Sequence, residues 1–212
     1  MKLFLAVVGL VITAAGSFGG PLAGMSCLPA KVGYNACLAD RLAVSLCLTA
    51  DSGYVACRSF GLSPNQCLTA KSRYKECRNL GFPHLDCLFA DTGYPDCMAL
   101  GEGHTKCLNV KGGYKACRDE GYSHFACVNA DRGYAECRKE HRPKDLCLGA
   151  RAPFRVCRDD RFDASLCVVI GKGYADCRKA GFAYSVCKTA DEGFGQCNTP
   201  TPQSGMDSET PN

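Results

Sequence analysis

The sequence predicts an all-α fold, a disulfide-stapled solenoid of nine twenty-residue repeats, each made of two short helices. Three observations carry this prediction. Cysteine falls at every tenth position from Cys27 to Cys197, eighteen times in succession and nowhere else. Successive decades alternate between two kinds of sequence, so the true period is twenty residues and the chain holds nine periods. Within each period, small, aromatic and cysteine positions recur three or four residues apart, which places them on one helix face.

Residues 1–20 come first in chain order. MKLFLAVVGLVITAAG carries one lysine and then an apolar run ending in small residues. This is the pattern of a secretory signal peptide, with cleavage expected between residues 15 and 24. The run is shorter than the ~20 apolar residues of a spanning helix, so no membrane span is expected after its removal. Export delivers the chain to an oxidising, extracellular compartment, where an even number of cysteines reads as a disulfide framework.

Residues 21–197 form the repeat domain. One decade of each period reads like Cys67-Leu68-Thr69-Ala70, then a charged residue, then usually Gly before an aromatic. The aromatic slot holds Tyr34, Tyr54, Tyr74, Tyr94, Tyr114, Tyr134, Phe154, Tyr174 and Phe194. Ala30, Ala50, Ala70, Ala90, Val110, Ala130, Ala150, Ile170 and Ala190 hold the small or aliphatic slot. Aromatic residues at such spacing read as core.

Glycine precedes the aromatic in seven of the nine periods. A helix-interior Gly costs ~1 kcal/mol relative to Ala, so the recurrence predicts a helix break or a close approach there. A continuous helix would also hold Cys67 and Cys77 ~15 Å apart at 1.5 Å per residue, beyond disulfide reach. Two short helices per repeat are therefore expected, with one longer helix as the alternative and a β-solenoid as the less favoured one. The other decade ends its helix at Gly61, Gly81, Gly121 and Gly181, where a left-handed residue stops the chain. Ser63, Ser123 and Asp163 follow as N-cap candidates, and Pro64, Pro83 and Pro143 suit first turns.

Cys27, Cys37, Cys47, Cys57, Cys67, Cys77, Cys87, Cys97, Cys107, Cys117, Cys127, Cys137, Cys147, Cys157, Cys167, Cys177, Cys187 and Cys197 are all expected in bridges. Pairing Cys27 with Cys37, and so on to Cys187 with Cys197, closes nine of them. A register shifted by one decade strands Cys27 and Cys197, so the first register is the expectation, in a rod-like or gently superhelical array. After the small slot the charge alternates through Lys31, Asp51, Lys71, Asp91, Lys111, Asp131 and Arg151; Gly171 interrupts the series before Asp191. Stacked repeats would set opposite charges side by side.

Residues 198–212, rich in Ser, Thr and Pro, read as a disordered tail.

Function is less legible. Removing Lys2 leaves 24 basic against 21 acidic residues spread along the chain, which is not the balance of a nucleic-acid binder. No cysteine lies outside the ladder to serve as a nucleophile, and the nucleophile-elbow, zinc-protease and phosphate-loop motifs are absent. The chain is therefore read as a non-enzyme with no cofactor and no metal centre.

Three rows remain as candidates for binding. Arg58, Arg78, Arg118, Arg138, Arg158 and Arg178 could grip an anionic polymer, although basic residues also complement a helix C-terminus. His84, His104 and His124 occupy one slot in consecutive repeats and read as a half-exposed row, with pH sensing or weak metal binding as the sharper alternative. The aromatic row is the third. The ten-residue cysteine period superficially resembles insect ice-binding proteins, but the threonine ladder of that resemblance is missing.

The expectation is a secreted extracellular binding or structural scaffold with a protein or polysaccharide partner and scope for self-association. A microbial effector acting on a host partner and an ice-binding protein are the alternatives.

Overall fold

The computed structural model describes residues 25–199. The expected signal peptide therefore lies outside the described residues, as does the tail beyond residue 199. In chain order the helices are α1 (Tyr34–Ala39), α2 (Val44–Cys47), α3 (Tyr54–Arg58), α4 (Pro64–Cys67), α5 (Tyr74–Asn79) and α6 (His84–Cys87). They continue as α7 (Tyr94–Ala99), α8 (His104–Cys107), α9 (Tyr114–Asp119), α10 (His124–Cys127), α11 (Tyr134–Lys139) and α12 (Lys144–Cys147). The last are α13 (Phe154–Asp159), α14 (Ala164–Cys167), α15 (Tyr174–Lys179), α16 (Tyr184–Cys187) and α17 (Phe194–Asn198). The solenoid of two-helix repeats is thus present, with no strand among the described residues.

Local sequence explains each break. The longer helix ends at a left-handed residue, Gly61 at φ 77° being typical, and Gly81, Gly101, Gly121 and Gly181 do the same. Arg41, His141 and Arg161 take the same conformation without glycine's freedom. The short helix then starts at an extended residue, where Ser63 forms a capping box with Gln66 and Asp163 accepts from the Ser165 amide. Ser123 likewise accepts from Ala126. Pro64 opens α4, while Pro83 and Pro143 sit at the N-cap instead.

Cysteine, the small slot and the aromatic slot form one continuous core. The Tyr54, Tyr74, Tyr94, Tyr114, Tyr134 and Tyr174 rings are fully buried, as are Phe154 and Phe194. Each such side chain contributes on the order of 2–3 kcal/mol of apolar burial. The aromatic row, one of the three candidate binding rows, is therefore inside the protein.

Neighbouring repeats are joined through their backbones. The Gly33 N–H donates to the Ala50 carbonyl (2.9 Å), Gly53 to Ala70 (2.8 Å) and Gly113 to Ala130 (2.8 Å). A Cβ on Gly53 would overlap the Lys71 carbonyl oxygen, so close approach explains this glycine. Pro153 has no N–H to give at the equivalent point, and the Arg151 guanidinium reaches the Ile170 carbonyl instead (3.3 Å).

The same bonds also join the two ends of the chain. Gly193 donates to Ala30 (2.8 Å) and Asp191 to Leu28 (2.6 Å), reproducing the internal Gly53–Ala70 and Asp51–Leu68 bonds (2.8 Å each). Helix α17 packs on α1 as α1 packs on α3. The solenoid is a closed ring rather than the open rod expected from the period alone.

Closure corrects the disulfide register. The bridges run Cys37–Cys47, Cys57–Cys67 and onward to Cys177–Cys187, with Cys27 joined to Cys197 across 170 residues. Each internal bridge clips a helix to the short helix that follows it across the left-handed turn, with Cα atoms 5.3–5.5 Å apart. The ninth clips α17 to the helical turn at residues 25–29, Cα to Cα 5.5 Å. Counting unpaired ends favours the other register only for an open array. No free cysteine remains among the described residues.

Candidate functional site

At the middle of the ring lies a charged hub. Lys31, Asp51, Lys71, Asp91, Lys111, Asp131, Arg151 and Asp191 converge on a cavity of ≈ 150 Å³. Asp51 is shared by Lys71 (2.7 Å) and Lys31 (3.4 Å), so the alternation of sign does place opposite charges side by side. Burial would raise the Asp51 pKa, but the Lys71 and Ser52 hydrogen bonds, with the Lys71 and Lys31 charges, outweigh it and hold the carboxyl below its ordinary value.

A ring of nine cannot alternate strictly, because an odd number forces two like charges together at one point. Gly171 stands at that point, between Arg151 and Asp191, and Asp191 then meets Lys31 across the joined ends. A second tier, Lys172–Glu192 (3.7 Å) and Arg132–Glu192 (3.5 Å), lies beside it. The interruption in the sequence pattern is therefore what lets the hub close with every ionised neighbour opposite in sign.

Away from the hub, each fully buried tyrosine hydroxyl has one partner, drawn from one of two places. In three repeats it donates to an acid fourteen residues earlier: Tyr54 to Asp40 (2.6 Å), Tyr134 to Glu120 (3.1 Å) and Tyr174 to Asp160 (2.7 Å). In the other three it meets a histidine Nδ1 ten residues later: Tyr74 with His84 (2.8 Å), Tyr94 with His104 (2.9 Å) and Tyr114 with His124 (2.8 Å). The histidine row thus supplies partners for buried phenols, which would otherwise lose a hydrogen bond on burial.

Four members of the arginine row act on acids of the same slot. Arg58 pairs with Asp40 (2.8 Å), Arg138 with Glu120 (2.9 Å), Arg158 with Glu140 (2.9 Å) and Arg178 with Asp160 (2.9 Å). The same guanidiniums donate to turn carbonyls, Arg58 to Leu62, Arg138 to Arg142, Arg158 to Phe162 and Arg178 to Phe182 (2.7 Å). Arg78 donates to Phe82 (2.6 Å) and Arg118 pairs with Glu102 (3.6 Å). All six therefore hold neighbouring elements of the ring together.

These contacts set pH dependence. Burial, then the hydrogen bond to Asp40, pushes Tyr54 up to about 12; burial and Glu120 push Tyr134 up to about 12. The folded phenols stay neutral while unfolded ones ionise from about pH 10. Their contribution to stability is thus complete below about pH 10 and lost as pH rises through about 12. His84 shifts downward, through burial and then the charge of Arg78. Its contribution is complete above pH 6.5 and falls below it. In a spectrophotometric titration of native protein, a group of tyrosines is expected to ionise well above the denatured, reduced chain. Coincident titration curves would contradict the pairing.

The slot that holds Asp40, Glu120, Glu140 and Asp160 changes character on one arc, where it carries Phe60, Leu80 and Leu100 in consecutive repeats. These are the repeats that lead into the histidines. Leu85 (69 % exposed) and Phe125 (80 % exposed) extend the same arc. Aromatic contacts recur along it: Phe60 edge-on to Tyr74 (5.8 Å), Phe82 stacked on His104 (3.5 Å), and His124 against Phe125 (5.3 Å). The sequence reading assigns this slot no role. The signal that finds it is the absence of an acid fourteen residues before Tyr74, Tyr94 and Tyr114.

Comparison with protein-family models, curated proteins and solved structures finds no match to this chain. Fold and site define it as a disulfide-rich tandem-repeat protein whose solenoid closes on itself. No helix among the described residues is long and apolar enough to cross a membrane.

Proposed function

We propose that the chain is a secreted, non-enzymatic binding scaffold that works in an oxidising extracellular setting and engages a protein partner through the arc bearing Leu80, Leu85, Leu100 and Phe125. The observation that carries this reading is that Phe60, Leu80 and Leu100 fill one slot in three consecutive repeats, and that Leu85 and Phe125, the most exposed large apolar side chains among the described residues, fall in the same run of repeats. Exposed apolar side chains gathered in one region mark association sites. Leucine side chains offer no hydrogen bonds to the hydroxyls of a sugar, so a protein with an apolar patch fits better than a polysaccharide. The cross-linked frame holds these side chains in place before binding, which reduces the ordering cost of association.

The test uses the full secreted chain carrying a photoreactive leucine analogue at position 85. It is exposed to extracellular fluid of the source organism, and the cross-linked partner is identified, purified and titrated. Substituting Leu85→Lys together with Leu100→Lys is expected to weaken that complex at least tenfold. Val169→Lys, at an exposed position in a distant repeat, should leave affinity unchanged. Equal affinity across all three proteins, retention only on insoluble polysaccharide, or sedimentation showing self-association through the arc would overturn the assignment.

A further inference from the structure

Eight bridges lie inside hairpins through which the peptide chain runs without interruption, so cutting any of them separates nothing. The Cys27–Cys197 bridge is different, because among the described residues it is the only covalent link across the place where the two ends meet. It is also the most open to solvent. Sixteen of the cysteines have no exposed surface, whereas Cys27 is 5 % exposed and Cys197 is half-buried. A disulfide reacts at a rate set by the access of the attacking thiolate, so burial protects the other eight.

We propose that Cys27–Cys197 is a thiol-exchange site and that its reduction opens the ring. A thiolate attacks the sulfur of the more exposed residue, Cys197, forming a mixed disulfide there while the S–S bond breaks and Cys27 leaves as a thiolate that takes up a proton. A second thiol then attacks the mixed disulfide on the reductant's sulfur. Cys197 is released as a thiol, and the two reductant sulfurs leave joined as a disulfide, so two electrons pass to the bridge. What then holds the ends together is the Asp191–Leu28 and Gly193–Ala30 backbone bonds, the Asn35 side-chain contact with the Gln196 carbonyl (3.4 Å) and the packing of α17 on α1. The reactant class is a thiol, either a small monothiol or the Cys-x-x-Cys pair of an oxidoreductase.

Graded reduction of the native protein, with alkylation at intervals and mass-spectrometric peptide mapping, tests this directly. Cys27 and Cys197 are expected to take label at least tenfold faster than any other cysteine. The Cys27→Ala, Cys197→Ala double variant should show no early label. Glutathione and a dithiol oxidoreductase are used in parallel. A mixed disulfide trapped at Cys197 only with glutathione assigns the small thiol, and faster reduction by the oxidoreductase assigns the enzyme. Opening is read from hydrogen exchange, with the Asp191 and Gly193 amides losing protection once the pair is labelled. Simultaneous labelling of several bridges would overturn the site, and undiminished protection at both amides after selective labelling would overturn the opening.

Discussion

Replacing Cys27 and Cys197 together with alanine is expected to cost about 3–5 kcal/mol of stability, with the eight remaining bridges intact. In the chain-entropy account, a bridge stabilises by restricting the unfolded chain, and the restriction grows with the loop it closes. The internal bridges close loops with a sequence separation of 10, whereas this one closes 170. By the same relation the long loop is worth about 5 kcal/mol and a short one about 2.8 kcal/mol. The figure is an upper bound, because the hairpin bridges already shorten the path between the ends. Denaturant unfolding of the double variant should therefore show a lower midpoint and a larger dependence on denaturant, since its unfolded state is more expanded. A variant as stable as the parent would mean that the ends are not tied in the native protein.

The second large effect is expected at the hub. Gly171→Asp introduces two independent faults. A Cβ there would lie 2.8 Å from the Ala190 carbonyl carbon and closer still to its oxygen, and the opposing atoms are backbone that can move only by displacing the next repeat. The new carboxylate would also sit beside Asp191, placing like charges at the one point where an odd ring cannot alternate, with Arg151 on its other side offsetting only part of that repulsion. Overpacking typically costs 1–3 kcal/mol, and a like-charge contact in a partly buried hub adds to it, so a loss of about 3–4 kcal/mol is expected. Gly171→Ala carries the steric fault alone and should lose less. The difference between the two should shrink as salt screens the charges. Equal stability of the two variants at low salt would remove the charge argument.

Much of the fold was legible because its determinants are local. The helix break follows from Gly53 and its equivalents, the left-handed stop from Gly61, Gly81, Gly121 and Gly181, and the core from the aromatic and small slots. The same turn at Arg41, His141 and Arg161 carried no glycine to announce it. Closure was not legible, because a repeat length says nothing about the rotation from one repeat to the next, and only that rotation decides whether nine units meet. The disulfide register failed for the same reason: pairing Cys27 with Cys37 is sensible only if residue 197 ends in solvent.

The site was legible in part. Alternating charge from Lys31 to Arg151 was visible, but Gly171 looked like a lapse in the pattern until the ring supplied its odd count. The arginine row was visible as a row, yet four of its six members pair with acids eighteen residues earlier, in the preceding repeat, which no spacing within a helix reveals. The apolar arc stayed hidden because one slot alternates between two solutions to a single requirement, a partner for a buried tyrosine hydroxyl. Where His84, His104 or His124 meets that requirement, the slot is released to carry Phe60, Leu80 or Leu100.

The most direct test of the closed ring is a disulfide map of the non-reduced protein, digested under conditions that block exchange. The account predicts one peptide pair linking Cys27 to Cys197 and eight bridges between cysteines ten residues apart, beginning with Cys37–Cys47. A map beginning with Cys27–Cys37 and ending with Cys187–Cys197 would contradict it, leaving an open array with no covalent tie between its ends.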